Sequence, residues 1–142
     1  MRRSLFPRLL ALLLLACASV AHSAGPAKVV YHLNAGTEQA SAALEYIRNH
    51  LEVDPKATIV VVAHARGVDF LMKGAKTARG NEFRQAVEDL DLEGVQFRVC
   101  EITLRERGLR KEQFLPQVKF VPSGVAEIAR LQNQEGFAYL KP

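Results

Sequence analysis

Cysteine is scarce in this chain: two in 142 residues, Cys17 and Cys100. No C-x-x-C pair exists, which excludes thioredoxin-type dithiol exchange within one chain. The four histidines are scattered and do not combine with a cysteine at the spacing of a zinc site. The first apolar strand is not followed by G-x-G-x-x-G, so a dinucleotide site is not expected, and the sequence calls for no other cofactor. Gly74-Ala75-Lys76-Thr77 echoes the end of a phosphate-binding loop, but no glycine stands at the required distance upstream. A G-x-S-x-G nucleophile elbow is also missing. Repeats, low-complexity tracts, long linkers and a second long apolar span are all absent.

What is present begins with a leader. Arg2, Arg3 and Arg8 form a positive segment, Leu9 to Ala16 an apolar one, and Ala18 to Ala24 are small and weakly polar. That is the anatomy of a secretory signal peptide over residues 1–24, too short to span a bilayer. Cleavage is expected after Ala21, with Ser19 two positions before it, or after Ala24. Leu14-Leu15-Ala16-Cys17 resembles a lipobox and offers a lipid anchor on Cys17. The bulky Leu15 and the nearby Arg8 favour instead a soluble periplasmic protein with no membrane contact after cleavage.

Removing the leader changes the charge balance. Of 19 Lys+Arg, three lie in the leader, leaving 16 against 15 Asp+Glu. No basic patch with interleaved aromatics remains, so nucleic acid is not an expected partner. Residues 25–142 suit one domain with one core. In an oxidising compartment, where cysteines usually pair, Cys100 would stand alone. It is then a reactive thiol or a small buried hydrophobe.

The apolar pattern alternates strands and helices. Lys28 to Leu33 reads as a buried strand, and Thr37 is placed to cap a helix with Ala40, Ala43, Leu44, Ile47 and Leu51 on one face. Asp54-Pro55 ends it. Thr58 to Ala63 is apolar throughout, as strands covered on both faces are. His64 to Met72 turns into a short helix and Lys73 to Gly80 is a polar loop. Asn81 is placed to cap a helix carrying Phe83, Ala86, Val87 and Leu90, with Gly94 as its stop. Val95 to Val99 is the third strand, Glu101 to Arg107 a short helix, and Glu112 to Leu115 a further turn. Val118 to Val121 is the fourth strand, Ser123 caps a helix through Gln134, and Phe137 to Lys141 is the fifth strand. The expected fold is a three-layer α/β/α sandwich on a mainly parallel five-stranded sheet.

Ligands gather outside the carboxyl ends of strands in such sheets. That rule collects His32 and Asn34, His64, Cys100, and Ser123 with Gly124. Cys100 precedes a helix, where backbone N–H groups favour a thiolate; Arg98 and Arg105 are near in sequence. His64 is a base or orienting group for the thiol, or a histidine bonded to loop backbone. His32, one step inside its strand, suits a packed role, and His50 near a helix end is simply favourable there. Ser123 is explained by capping.

Lys28 to His32, Ile59 to Leu71 (IVVVAHARGVDFL), Val95 to Leu104 (VQFRVCEITL) and Phe120 to Tyr139 (FVPSGVAEIARLQNQEGFAY) resemble the DsrE/DsrF-like family, in order and across the chain that follows the leader. The resemblance is closest to exported single-domain members. It implies a compact α/β sandwich, assembly into trimers or hexamers, and a cysteine that carries persulfide sulfur. Cys100 matches that cysteine and His64 the histidine at the end of the second strand, while Ala65 stands where the family pattern has glycine. The implied activity is at most that of a sulfur carrier or sulfurtransferase, exchanging with a thiol or persulfide protein. Export separates the chain from the family's tRNA-thiolation partners. The competing reading is a noncatalytic oligomeric binding or stress-related module with a structural cysteine.

Overall fold

A computed structural model describes residues 25–142. The expected leader, its cleavage positions and Cys17 lie outside the described residues. Five strands, β1 (Lys28–Leu33), β2 (Thr58–Ala63), β3 (Gln96–Cys100), β4 (Val118–Val121) and β5 (Ala138–Leu140), form one sheet in the order β4-β3-β2-β1-β5. All four pairings are parallel. The helices are α1 (Thr37–Val53), α2 (Phe83–Leu92), α3 (Glu101–Arg107) and α4 (Gly124–Glu135), with 3-10 segments at Ala65–Leu71 and Lys111–Gln113.

The layering follows from handedness. From β1 to β4 the chain steps across the sheet in one direction, and right-handed crossovers keep the covering segments on one face. The return from β4 to β5 runs the opposite way, so α4 lands on the other face. The first face buries a large cluster, including Tyr31, Leu33, Ile47, Val61, Phe70, Phe97 and Leu104. The second buries a smaller apolar cluster, Val30, Val60, Val62, Ile128, Leu131 and Phe137, under α4. The connections leaving β3 and β4 therefore diverge to opposite faces, which opens a crevice between their carboxyl ends.

Three local expectations are corrected. Thr37 does not cap α1; Gly36 holds the cap position without a side-chain bond. In its place the Gln39 Oε1 atom accepts the backbone N–H groups of Asn34 and Ala35 at 2.9 and 2.8 Å. Asn81 does not cap α2, whose cap position is Glu82; the Asn81 carbonyl is taken up by the Thr77 N–H at 2.8 Å. The third strand runs one residue further than its apolar run suggests, so Cys100 ends β3 rather than following it.

Candidate functional site

Cys100 ends β3, paired with Val121 of β4, and is 5% exposed. The last β2–β3 pair is Ala63 with Val99, so His64 and Cys100 leave adjacent strands side by side. The start of α4 closes over both. A Cβ on Gly124 would stand 3.2 Å from the Cys100 Cβ, 3.3 Å from the His64 Cβ and 3.6 Å from Val62 Cγ1. Only a residue without a side chain lets the helix begin this close. Ser123 caps α4 by accepting the Ala126 N–H at 3.3 Å.

The sulfur sits among donors. Burial pushes the Cys100 thiol up, but the backbone N–H groups of Gly124, Thr103 and Ile102, with the Thr103 hydroxyl, pull it down further. The net direction is below the ordinary thiol value, because hydrogen bonds to the charged form outweigh its desolvation. Thr103, buried and not singled out by the sequence, also accepts the Ala65 N–H at 2.9 Å. It thereby ties the end of β2 to the thiol.

The arginines near Cys100 in sequence are not its partners. Arg98 shares a face with Cys100 but is bonded to Glu127 on α4 and, at 2.8 Å, to Gln96. Arg105 lies in the last turn of α3, the end away from the sulfur.

His64 faces a different neighbour. Its Nε2 lies 2.7 Å from His32 Nε2, and the rings stack with centroids 4.8 Å apart at 24°. His32 Nδ1 is in turn 2.6 Å from the Tyr139 Oη on β5. His32, expected only to pack, is indeed buried, yet it is also the middle of a three-residue chain. Burial, then His64, then Lys141 lower its pKa to about 4. Burial and Lys141 lower that of His64 as well. Burial therefore disfavours the charged form of both rings.

The segment after β2 carries strain. Ala65 has φ 48°, in the left-handed region that glycine adopts freely. Its N–H is fixed by Thr103, and its carbonyl accepts from Arg107 Nη1 at 2.9 Å. Two residues on, a Cβ at Gly67 would sit 2.2 Å from the Leu33 carbonyl oxygen, so the 3-10 segment rests directly on the end of β1. Asn34, on the other side of that contact, serves through its backbone N–H in the turn onto α1. His50 is paired with the Tyr31 Oη, 3.1 Å from its Nδ1, away from these residues.

The strand-end rule thus brings together Cys100, His64, His32 and Gly124, and adds Thr103 and Tyr139, which it did not name. Among the described residues no group of three or more His, Cys, Asp or Glu is placed to hold a metal ion. A surface groove of about 500 Å³ runs between α1 and the loop before α2, past Thr37, Ser41, Thr77 and Arg79, and contains none of these residues.

Residues 27–142 match the model of the DsrE/DsrF-like family. No curated protein matches the chain. Among solved structures, the protein of unknown function MTH1491 from Methanobacterium thermoautotrophicum is similar, at 32% identity and a TM-score of 0.71, over 82% of this chain and 99% of that one. The ychN protein from E. coli shares the fold at 18% identity and a TM-score of 0.68, with the same coverage. The all-parallel sheet and the extent of these matches give one conclusion: the chain belongs to the DsrE/DsrF-like family, a sulfur-relay-related family.

Proposed function

We propose that this protein is an exported sulfur handler in which Cys100 accepts a sulfane sulfur as a persulfide and passes it to another thiol. The observation that carries the reading is the position of Cys100 at the end of β3, closed over by α4 at Gly124, where the N–H groups of Gly124, Thr103 and Ile102 and the Thr103 hydroxyl act against burial to lower its pKa. Those donors favour the thiolate, the form that attacks sulfur. The step is Cys100–SH plus R–S–SH giving Cys100–S–SH plus R–SH. The Cys100 thiolate bonds to the outer sulfur, the bond to the inner sulfur breaks, and the thiol proton ends on the departing thiolate. No outside oxidant or reductant is required. His64, sharing the Gly124 contact with Cys100, is the group that steers that proton.

The same proposal includes a periplasmic location, assembly into a trimer or hexamer, and a thiol or persulfide protein as donor or acceptor. The test is an intact mass taken after incubation with glutathione persulfide or polysulfide, beside Cys100→Ser. The reading expects a reducible gain of one sulfur atom in the wild type alone. A thiol that gains no sulfur rejects it.

One observation favours a second reading. Cys100 is only 5% exposed, as a cysteine filling a core position would be. A noncatalytic oligomeric module with a structural cysteine would resist alkylation until unfolded, and would lose stability in Cys100→Ser.

A further inference from the structure

We infer that Tyr139, His32 and His64 form a proton relay joining the solvent beside β5 to the reacting sulfur. The inference rests on the proposal that Cys100 exchanges sulfur, and it assigns a role to two residues that the cysteine chemistry alone does not need. The two observed hydrogen bonds, 2.7 Å between the imidazoles and 2.6 Å to the phenol, fit two opposite arrangements of the same protons. In the first, His64 Nε2–H donates to His32 Nε2 and His32 Nδ1–H donates to the Tyr139 oxygen, whose own proton faces water. In the second, the Tyr139 hydroxyl donates to His32 Nδ1 and His32 Nε2–H donates to His64 Nε2. Both leave every ring neutral and satisfy every bond.

The two arrangements differ by one proton at each end. A proton taken up at His64 Nδ1 and one released at the Tyr139 hydroxyl convert the first into the second. The reverse conversion delivers a proton from His64 Nδ1. That nitrogen makes no side-chain or backbone hydrogen bond among the described residues, so it is the open end of the chain. It belongs to the residue whose Cβ shares the Gly124 contact with Cys100. The far end opens to water: Tyr139 is 40% exposed on an edge strand. The burial and the Lys141 charge that depress both imidazoles keep a proton from resting on either ring, so it moves through instead of staying. In sulfur transfer the relay takes the Cys100 thiol proton and returns one to the departing thiolate.

His64 is the residue that meets the reacting groups; His32 and Tyr139 act through it. The test uses small disulfides in place of persulfides, so it does not depend on sulfur carriage. Proton delivery matters for an alkyl thiolate, a poor leaving group, and little for an aryl thiolate, a good one. Tyr139→Phe keeps the ring and removes the hydroxyl. It should lower the ratio of alkyl to aryl disulfide rates at Cys100 about a hundredfold, the low side of general acid–base effects. His32→Gln, which breaks the chain in the middle, should do the same. A ratio unchanged in both variants, with rates falling equally or not at all, overturns the relay. As a check on the wild type, nitrogen NMR should find both imidazoles neutral at pH 7, and an imidazolium at either site overturns it too. Normal disulfide ratios with no persulfide uptake would reject the carrier reading and leave the relay standing.

Discussion

Two glycines and one alanine set the site at the residue scale, each for a different steric reason. Gly124→Ala would press a methyl within 3.2 Å of the Cys100 Cβ, so the start of α4 must move away from the thiol. The expected result is a higher thiol pKa with a stability loss of about 1–3 kcal/mol, the usual cost of overpacking. Thermal unfolding, with the pH profile of alkylation, separates the two effects. Gly67→Ala meets backbone at 2.2 Å, with nothing flexible to yield. It should cost more than Gly124→Ala in denaturant unfolding and should disturb His64 through the 3-10 segment. Ala65 at φ 48° is the reverse case. Glycine there relieves ~1 kcal/mol of left-handed strain but adds ~0.5–1 kcal/mol of chain entropy to the unfolded state. Ala65→Gly should therefore leave stability nearly unchanged while loosening the residue after His64.

At the scale of elements, α4 is the only helix covering its face among the described residues, and it is fastened by charge as well as by Ile128 and Leu131. Glu127 on α4 lies between Arg98 on β3 and Arg130 one turn along, and both are bonded to it. The hydrogen bond from Arg130 and the bond and charge of Arg98, against its burial, hold its carboxyl below the usual range. The pair is asymmetric. Glu127→Gln leaves Arg98, whose side chain is 16% exposed, without a carboxylate. Arg98→Met leaves Glu127 still held by Arg130. Breaking a buried pair from one side costs about 3–5 kcal/mol when the stranded charge has no other partner. Glu127→Gln should approach the lower end of that range, and Arg98→Met should cost clearly less. Equal losses in urea unfolding would contradict this account of α4 anchoring.

Sequence legibility follows the same divide between local and remote. β1 and β2 were readable because KVVYHL and TIVVVA are buried on both faces, all but their first residues. Cys100, His64 and Gly124 were reachable because the strand-end rule needs only element order. Arg98 misled because nearness in sequence said nothing of Glu127, 29 residues on. Tyr139 lies 107 residues from His32, and their meeting depends on β5 pairing with β1, a strand order that no local pattern encodes. Thr103 carried one unused signal: a hydroxyl three residues after a cysteine that opens a helix points back at that cysteine.

The whole molecule should feel the histidine pair in its pH dependence. Folded His32 resists protonation down to about 4, whereas an unfolded chain takes the proton near 6.5. Between those values the unfolded state binds more protons, so this part of the stability is full above 6.5 and is lost as pH falls toward about 4. Melting temperatures across that range should fall more steeply in the wild type than in His32→Gln. Parallel profiles would mean that the pair is not buried neutral. Assembly is tested at the same scale: sedimentation should give a trimer or hexamer, and a monomer at all concentrations would reject that part of the proposal. Among the described residues β5 is an edge strand, with Leu140 and Tyr46 exposed beside it, and added charge such as Leu140→Lys should show whether that edge takes part.

The central claim is that the crevice favours the Cys100 thiolate despite its burial. Its most direct test is the pH titration of thiolate ultraviolet absorbance, wild type minus Cys100→Ser. A midpoint below the ~8.5 of an unperturbed thiol is predicted. A midpoint at or above ~8.5 would contradict the account, because burial would then outweigh the donors of Gly124, Thr103 and Ile102.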